Sequence, residues 1–167
     1  MTNPTIASSE FLELRDIEYF LFEEDFMEGN IRCIPMIVRF KMDKAGIKLK
    51  LSAWSRFSAE ERIKLAQMAC YYDDEIISYT TYLTKLVKKR TRQTPKRLAV
   101  EQNPLWSDVY SIPEVLAEKF NEFGWKLSIE KWGRLTDLQR FALLKLCRPR
   151  HENRNFPSAV KEFSLLD

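Results

Sequence analysis

The densest run of charged side chains in this sequence is the basic segment KLVKKRTRQTPKR at residues 85–97. Guanidinium and ammonium groups bind phosphates and carboxylates through charge-assisted hydrogen bonds, so the segment is a candidate anion-binding site. Positive charge near the C-terminus of a helix also complements the helix dipole, which leaves a purely structural role equally open. The candidate side chains are Lys85, Lys88, Lys89, Arg90, Arg92, Lys96 and Arg97.

A second basic cluster, RPRHENR at 148–154, adds Arg148 and Arg150 to the candidates. If the two clusters converge on one face, that face would bind a phosphate-bearing ligand, a nucleic acid or an acidic protein. The net charge of the chain is only +3, which disfavours a dedicated nucleic-acid-binding protein. A nucleic-acid-binding regulator that uses segment 85–97 stays open as an alternative.

Four carboxylates near the N-terminus could in principle form a catalytic or metal-binding group. They are Glu23, Glu24, Asp25 and Glu28, but the single histidine, His151, is distant in sequence and no metal-loop spacing surrounds them. We interpret the cluster as a solvated acidic edge that could also dock a basic partner. We predict no metal site and no cofactor.

The three cysteines, Cys33, Cys70 and Cys147, lie far apart in the chain without a C-x-x-C spacing. This usage favours reduced, mostly buried thiols over a disulfide framework or a zinc site. Cys33 precedes a predicted helix start, where the helix dipole would favour a thiolate. The sequence contains no Gly-rich phosphate loop and no G-x-S-x-G motif, so we predict that the protein is not an enzyme.

These candidate residues are positioned by a unit of sequence that occurs twice. Residues 34–65 align with residues 112–143 at a constant offset of 78 positions, which predicts two copies of one structural unit at about 34–66 and 112–144. A tryptophan required in both copies is more simply a core anchor than a ligand platform. The identical pairs are Ile34/Ile112, Pro35/Pro113, Lys41/Lys119, Gly46/Gly124, Lys48/Lys126, Leu49/Leu127, Trp54/Trp132, Arg56/Arg134, Arg62/Arg140 and Leu65/Leu143.

Each copy is predicted to form a helix, an extended turn that carries the tryptophan, and a second helix. Pro35 and Pro113 suit the first helical turn, and Gly46 and Gly124 suit the left-handed residue that ends a helix. Capping boxes are predicted for Ser58 with Glu61, Thr136 with Gln139, and Ser111 with Glu114, the first two opening helices at about 59–71 and 137–147.

The extended turns are predicted to pack through alternate residues. Leu49 and Leu51 would face the core in the first copy, and Leu127 and Ile129 in the second.

Three further elements complete the predicted fold. A linking helix at about 74–91 has an apolar stripe, a short strand is predicted near 19–22, and a last helix begins near Asn155 with Pro157 in its first turn. The stripe consists of Ile76, Tyr79, Leu83 and Leu86. We therefore predict a mainly α, single helical domain over 18–167, preceded by a flexible N-terminal arm at 1–17.

No stretch of the sequence reaches the roughly 18 consecutive apolar residues that a membrane-spanning helix needs. The opening residues also lack the cationic start and apolar run of a signal peptide. We expect a soluble cytoplasmic protein with no membrane segment, and its oligomeric state stays open.

The stretch FLFEEDFMEGNIRCIPMIVRFKMDKAGIKLKLSAWSRFSAEER resembles the nitrate reductase-associated protein family, known mainly from cyanobacteria. The resemblance covers about residues 20–65 and rests on three motifs: F-x-F-E-x-D-F, R-C-I-P-M-x-V-R and G-[IV]-K-L-x-L-x-x-W. Met42 stands where the family pattern has Leu. The motif residues are Phe20, Phe22, Glu23, Asp25, Phe26, Arg32, Cys33, Ile34, Pro35, Met36, Val38, Arg39, Gly46, Lys48, Leu49 and Trp54.

The resemblance implies an accessory protein that supports a molybdenum-cofactor nitrate reductase and has no known reaction of its own. Its expected partner is a protein, either nitrate reductase or the machinery that matures it. An enzyme of molybdopterin metabolism, with Cys33 as its most suggestive residue, is the nearest alternative. The second copy of the repeat has no thiol at the position equivalent to Cys33, so the repeated unit itself does not need one.

Overall fold

The computed structural model describes residues 17–23, 33–148 and 154–167. Eight α-helices and one two-stranded sheet lie in these ranges, which confirms the mainly α class. The chain divides into two compact units, Met1–Glu101 and Gln102–Asp167, which we call the N-terminal and C-terminal units. The organisation into one body over 18–167 stays a prediction, and the predicted arm at 1–17 lies outside the described residues except for its last position.

The N-terminal unit contains four helices, a short sheet and a 3-10 turn. The helices are α1 (Met36–Ala45), α2 (Leu51–Trp54), α3 (Ala59–Gln67) and α4 (Asp73–Thr91), and the 3-10 turn is Leu21–Glu23. Strand β1 (Ile47–Lys48) pairs antiparallel with β2 (Lys96–Arg97). Ile47 lies opposite Arg97, and Lys48 lies opposite Lys96.

The C-terminal unit contains the other four helices. They are α5 (Glu114–Glu122), α6 (Ile129–Arg134), α7 (Asp137–Leu146) and α8 (Phe156–Glu162), and a 3-10 turn at Leu105–Ser107 precedes them. Helix α8 begins after Asn155 with Pro157 in its first turn, as predicted. Phe156 and Phe120 pack edge to face with ring centroids 5.5 Å apart, which ties α8 to α5.

Helix α4 (Asp73–Thr91) is close to its predicted span of about 74–91. Tyr79, Leu83 and Leu86 are buried in the core of the N-terminal unit, and Ile76 packs against that core at its edge. The Tyr79 hydroxyl donates a hydrogen bond to the Leu65 carbonyl over 2.8 Å, so the polar end of this buried ring is satisfied. The opposite face of α4 is therefore left to solvent.

Two of the predicted capping boxes are present. The Glu61 and Gln139 backbone N–H groups donate to the hydroxyls of Ser58 and Thr136 over 3.2 and 3.1 Å. The side chains of Glu61 and Gln139 accept the return bonds. The starts of α3 and α7 are thus encoded locally.

The third capping box, Ser111 with Glu114, was a wrong prediction. Pro113 is the residue that precedes α5, with ψ at 137°, and no side chain caps this helix. Pro35 likewise precedes α1, with ψ at 149°, so both prolines lie one residue before the first helical turn rather than inside it. Each proline carbonyl accepts the first helical N–H bonds, so each helix begins directly after its proline. Helix α5 therefore begins later than the predicted Ser111–Glu114 capping box would place it.

Two further boundaries differ from the sequence pattern. Helix α3 ends at Gln67 instead of about 71, because the chain turns to an extended conformation at Met68. The predicted extended turns are also shorter, since Leu51 and Ile129 each open a short helix and are 42% and 45% exposed instead of packed. In the second copy the Ser128 hydroxyl accepts the Lys131 N–H, which starts the helix early.

The strand predicted near 19–22 is not formed. Residues Leu21–Glu23 make a 3-10 turn, in which the Glu23 N–H donates to the Phe20 carbonyl over 3.1 Å. The alternation of burial that suggested a strand is nevertheless present: Phe20 and Phe22 are buried and stacked 5.4 Å apart, while Leu21 is 64% exposed. The turn forms because the Glu23 carboxylate reaches back to the Phe20 N–H and forward to the Met36 N–H.

The two aligned stretches share several local features. Gly46 and Gly124 end α1 and α5 with φ angles of 68° and 70°, as predicted for left-handed residues. Trp54 and Trp132 are both fully buried, which agrees with their interpretation as core anchors. Buried Arg62 and Arg140 each donate to a backbone carbonyl five residues earlier, that of Phe57 and that of Leu135 respectively. Equivalence of the two copies as whole units stays a prediction.

Candidate anion-binding site of the N-terminal unit

Most of the predicted basic segment lies on the solvent-facing side of α4. Lys85, Lys88 and Lys89 are exposed within the helix, and Arg92 is exposed directly after it. Ile77, Thr81, Lys85 and Lys88 follow one another at intervals of four, four and three residues, so they share one helical face. We call these four residues the α4 stripe. Ile77 is 66% exposed, which makes the stripe apolar at its start and cationic at its end.

Arg90 faces away from the stripe and is already engaged. Its Nε donates to both carboxylate oxygens of Glu61 over 3.0 Å, and its Nη2 also contacts this carboxylate. The hydrogen bond from Arg90 is the main cause that lowers the pKa of Glu61, with a further contribution from the charge on Lys89. Arg90 therefore ties α4 to the first turn of α3 and is not available to an external anion in the way that the sequence suggests.

A groove of about 620 Å³ lies beside the other flank of α4, and we call it the basic groove. Two of its cationic residues lie on the two strands and two lie in the connections on either side of α2, and no carboxylate belongs to its described lining. The lining residues are Lys48, Leu49, Lys50, Ser52, Ala53, Arg56, Val87, Thr91, Gln93, Thr94, Pro95 and Lys96. Lys96 is the one member of the predicted basic segment 85–97 that enters this groove as a cation.

The short sheet brings the groove's cations together. Lys48 on β1 lies opposite Lys96 on β2, although the two residues are far apart in sequence. This pairing depends on Gly46: a Cβ atom there would lie only 2.8 Å from the Leu98 carbonyl oxygen. The Leu98 N–H donates to the Gly46 carbonyl over 2.8 Å, which fixes the close approach of the two chain segments. Glycine is therefore required at position 46 for both its backbone angle and its lack of a side chain.

The motif residues that carry the family resemblance are mostly architectural. Phe20, Phe22, Pro35, Met36, Val38, Leu49 and Trp54 are buried, whereas Cys33, Ile34 and Arg39 are half-buried. Lys48 is the clear exception, because it is exposed and lines the basic groove. Asp25, Phe26 and Arg32 lie outside the described residues.

Glu23 corrects the interpretation of the N-terminal carboxylates as a solvated edge. It is only 5% exposed, and its carboxylate accepts the Met36 N–H over 2.6 Å and the Phe20 N–H over 3.3 Å. A negative charge at this position complements the positive end of α1, where backbone N–H groups lack helical partners. Glu23 is thus a structural cap for α1. Glu24, Asp25 and Glu28 lie outside the described residues.

Two of the three cysteines are held as neutral thiols. Burial raises the pKa of Cys70 to about 11 and that of Cys147 to about 12, so their thiolate forms are scarce near neutral pH. Cys33 is half-buried. Within residues 17–23, 33–148 and 154–167, no group of three or more His, Cys, Asp or Glu side chains is arranged to hold a metal ion.

Sequence reasoning missed the role of Lys41. Its ammonium group donates to the carbonyls of Ala66 and Met68 over 2.6 Å each, and so binds the end of α3 to α1. Burial lowers the pKa of Lys41 to about 8, against a smaller opposing effect of Cys70. The only sign of this role in the sequence was that lysine occurs at the equivalent positions 41 and 119 of the two aligned stretches.

The second predicted basic cluster lies in the C-terminal unit. Arg148 and Arg154 are exposed, while Arg150 and His151 lie outside the described residues. Convergence of this cluster with segment 85–97 stays a prediction. No described helix combines the length and the apolar character that crossing a bilayer requires.

Comparison with known proteins gives one informative result. Neither curated proteins nor solved structures gave a match to this chain. The family model described as "Conserved nitrate reductase-associated protein" matches residues 19–163, which extends the resemblance seen at 20–65 across nearly the whole chain, including both compact units. The chain belongs to the conserved nitrate reductase-associated protein family.

Proposed function

We propose that this protein is a non-enzymatic accessory factor in the cytoplasm that binds a molybdenum-cofactor nitrate reductase during nitrate assimilation. It would support assembly, cofactor insertion or activation of that enzyme. The observation that carries the proposal is the family match over residues 19–163, whose description names association with nitrate reductase. The surface of α4 supports it, because that surface has the composition of a protein-docking face.

The first part of this surface lies directly before the helix and is aromatic. Tyr71 and Tyr72 precede α4, are 68% and 64% exposed, and pack edge to face with centroids 5.0 Å apart. Both of their backbone N–H groups donate to the Glu75 carboxylate, over 2.8 and 3.1 Å, so the backbone that carries the pair is fixed. Tyrosines presented in this way supply contact area at a low entropic cost, and tyrosine is enriched at protein interfaces.

The second part is the α4 stripe. Ile77 offers an exposed apolar side chain one turn into the helix, and Lys85 and Lys88 follow on the same face. Neither lysine forms an ion pair with another described residue, whereas Arg90 on the neighbouring face does. Charge complementarity therefore favours an acidic surface of nitrate reductase that receives Ile77 in an apolar contact.

A non-catalytic role is supported by the state of the thiols. Cys70 and Cys147 are buried neutral groups, so Cys33 is the cysteine on which a catalytic alternative would depend. A Cys33→Ser variant should restore growth of a deletion strain on nitrate as fully as the parent protein does. Failure of this variant, with normal protein levels, would favour an enzyme of molybdopterin metabolism instead.

The proposal as a whole is tested by deleting the gene. We expect nitrate-dependent growth and nitrate reductase activity to fall, while growth on ammonium stays normal. Unchanged nitrate reductase activity in the deletion strain would refute the accessory role. Sequence-selective nucleic-acid binding at physiological salt would replace it with a regulator that uses segment 85–97, since non-selective binding that disappears with salt reflects counterion release alone.

A further inference from the structure

We propose that the basic groove of the N-terminal unit binds a small phosphate-bearing ligand that carries an apolar ring, such as a nucleotide. This site is separate from the α4 stripe and goes beyond the accessory role. The ligand class follows from the charge, the polar groups, the apolar floor and the size of the groove.

No acidic side chain among the described residues compensates the charge of the groove. Lys48, Lys50, Arg56 and Lys96 line it without an ion pair to any described residue, and no described lining residue is acidic. Four cations elsewhere in the described residues do have acidic partners, in the pairs Arg90–Glu61, Lys119–Glu122, Lys131–Asp167 and Arg140–Asp137. A bound phosphate would supply the counter-charge that the groove lacks.

The sheet holds two positive charges close together, so they repel each other while no anion is bound in the groove. Lys48 and Lys96 are directly opposite each other in a sheet whose strands have only two residues each. Like charges opposed across an antiparallel pair destabilise it. An anion placed between the two ammonium groups converts that repulsion into two attractive contacts.

The floor and rim of the groove fit the rest of such a ligand. Leu49, Ala53, Val87 and Pro95 are buried residues that line it, so their apolar atoms can contact one face of a ring. Hydroxyl and amide groups from Ser52, Thr91, Gln93 and Thr94 add polar contacts beside the cations. The volume of about 620 Å³ is typical of pockets for small molecules and much larger than one phosphate needs.

The wall of the groove is held in a defined shape before any ligand binds. Arg92 ends α4 in the left-handed conformation with φ at 61°, which is uncommon for a residue other than glycine. The chain then turns sharply into Gln93, whose N–H donates to the Thr91 hydroxyl over 3.2 Å. Residues 93–96 then line the groove, and Lys96 lies opposite Lys48.

The test is calorimetric titration of the full chain with four probes: adenosine diphosphate, inorganic pyrophosphate, adenosine, and an oligo-aspartate peptide. We expect saturable binding of adenosine diphosphate, weaker binding of pyrophosphate, and no detectable binding of adenosine. The Lys48→Ala/Lys96→Ala variant should weaken adenosine diphosphate binding by about tenfold or more, since it removes two charged contacts. The Lys85→Ala/Lys89→Ala variant removes the same charge from the far face of α4 and should bind like the parent.

Arg56→Gln provides a second variant outside the sheet, in case the double change disturbs the β1–β2 pairing. It should also weaken adenosine diphosphate binding while the melting temperature of the unliganded protein stays the same. Absence of saturable binding of both phosphate probes would overturn the proposal. So would equal weakening by the groove and control variants, or tighter binding of oligo-aspartate than of adenosine diphosphate, which would assign the groove to an acidic protein segment. None of these outcomes depends on nitrate reductase, so the site and the accessory role can fail separately.

Discussion

Gly46 and Gly124 offer a matched pair of substitutions that tests how the groove is built. Both residues have left-handed backbone angles, with φ at 68° and 70°. Replacement by alanine places a Cβ in an unfavourable conformation at either position, which costs about 1–2 kcal/mol. The lower entropy of the unfolded alanine chain offsets part of that cost, and does so equally in both variants.

The surroundings of the two glycines differ. A Cβ at Gly46 would lie 2.8 Å from the Leu98 carbonyl oxygen and 3.0 Å from a Val100 methyl group, whereas one at Gly124 meets nothing within 4 Å. To relieve this contact, β2 must move and the hydrogen bond from the Leu98 N–H to the Gly46 carbonyl must weaken, which adds about 1 kcal/mol. We therefore expect Gly46→Ala to destabilise its unit by about 1 kcal/mol or more beyond Gly124→Ala.

Because the glycines lie in different compact units, native-state hydrogen exchange read by mass spectrometry is the suitable assay. The free energy of opening is compared with the parent for peptides of the substituted unit. Gly46→Ala should also weaken adenosine diphosphate binding, since moving β2 displaces Lys96 from Lys48. Equal losses in the two variants would refute the close approach of β2 to the end of α1 and the steric requirement for glycine at position 46.

The core, the charges and the thiols allow three further tests. Trp54→Ala and Trp132→Ala should each cost about 3–5 kcal/mol, because both rings are fully buried, and a Trp54→Ala protein that melts like the parent would show the ring to be a surface residue. The hydrogen bond from Arg90 lowers the pKa of Glu61 below its ordinary value of 4.5. The Arg90–Glu61 pair therefore stabilises the fold fully at pH values above 4.5, and this stabilisation is lost as the pH falls through the lowered pKa of Glu61. The melting temperature of Arg90→Gln should thus approach that of the parent under acid conditions, and a constant difference at every pH would contradict this. Iodoacetamide at neutral pH should modify half-buried Cys33 well before Cys70 and Cys147, as followed by mass spectrometry, because burial keeps the latter two protonated; faster modification of either buried thiol would contradict their assignment.

The parts of the fold that could be predicted from sequence are those encoded by neighbouring residues. Helix α4 begins and ends within one residue of the prediction, since its apolar stripe is long and regular. The capping boxes at Ser58 and Thr136 could be predicted because each is formed by two residues only three positions apart. The box at Ser111 failed because Pro113, two residues later, set a different start for α5.

The parts that could not be predicted depend on contacts between distant residues. Glu23 is buried because it accepts the Met36 N–H, thirteen residues away, and its own neighbours in sequence indicated only an acidic surface. The basic groove requires Lys48 to face Lys96, a pairing set by two-residue strands too short to leave a pattern. Segment 85–97 was recognised as basic, but its division between the α4 stripe, the Glu61 contact and the groove depends on which way each helical residue faces.

The accessory role depends most directly on recognition of nitrate reductase by the α4 stripe. The decisive measurement is the affinity of the purified full chain for purified nitrate reductase of the same cell, at physiological salt, with an Ile77→Ala/Lys85→Ala/Lys88→Ala variant beside a Lys48→Ala/Lys96→Ala control. We predict saturable binding that the stripe variant weakens by about tenfold or more and that the groove control leaves within about twofold. Absence of binding, or equal binding by parent and stripe variant, would contradict recognition through this face.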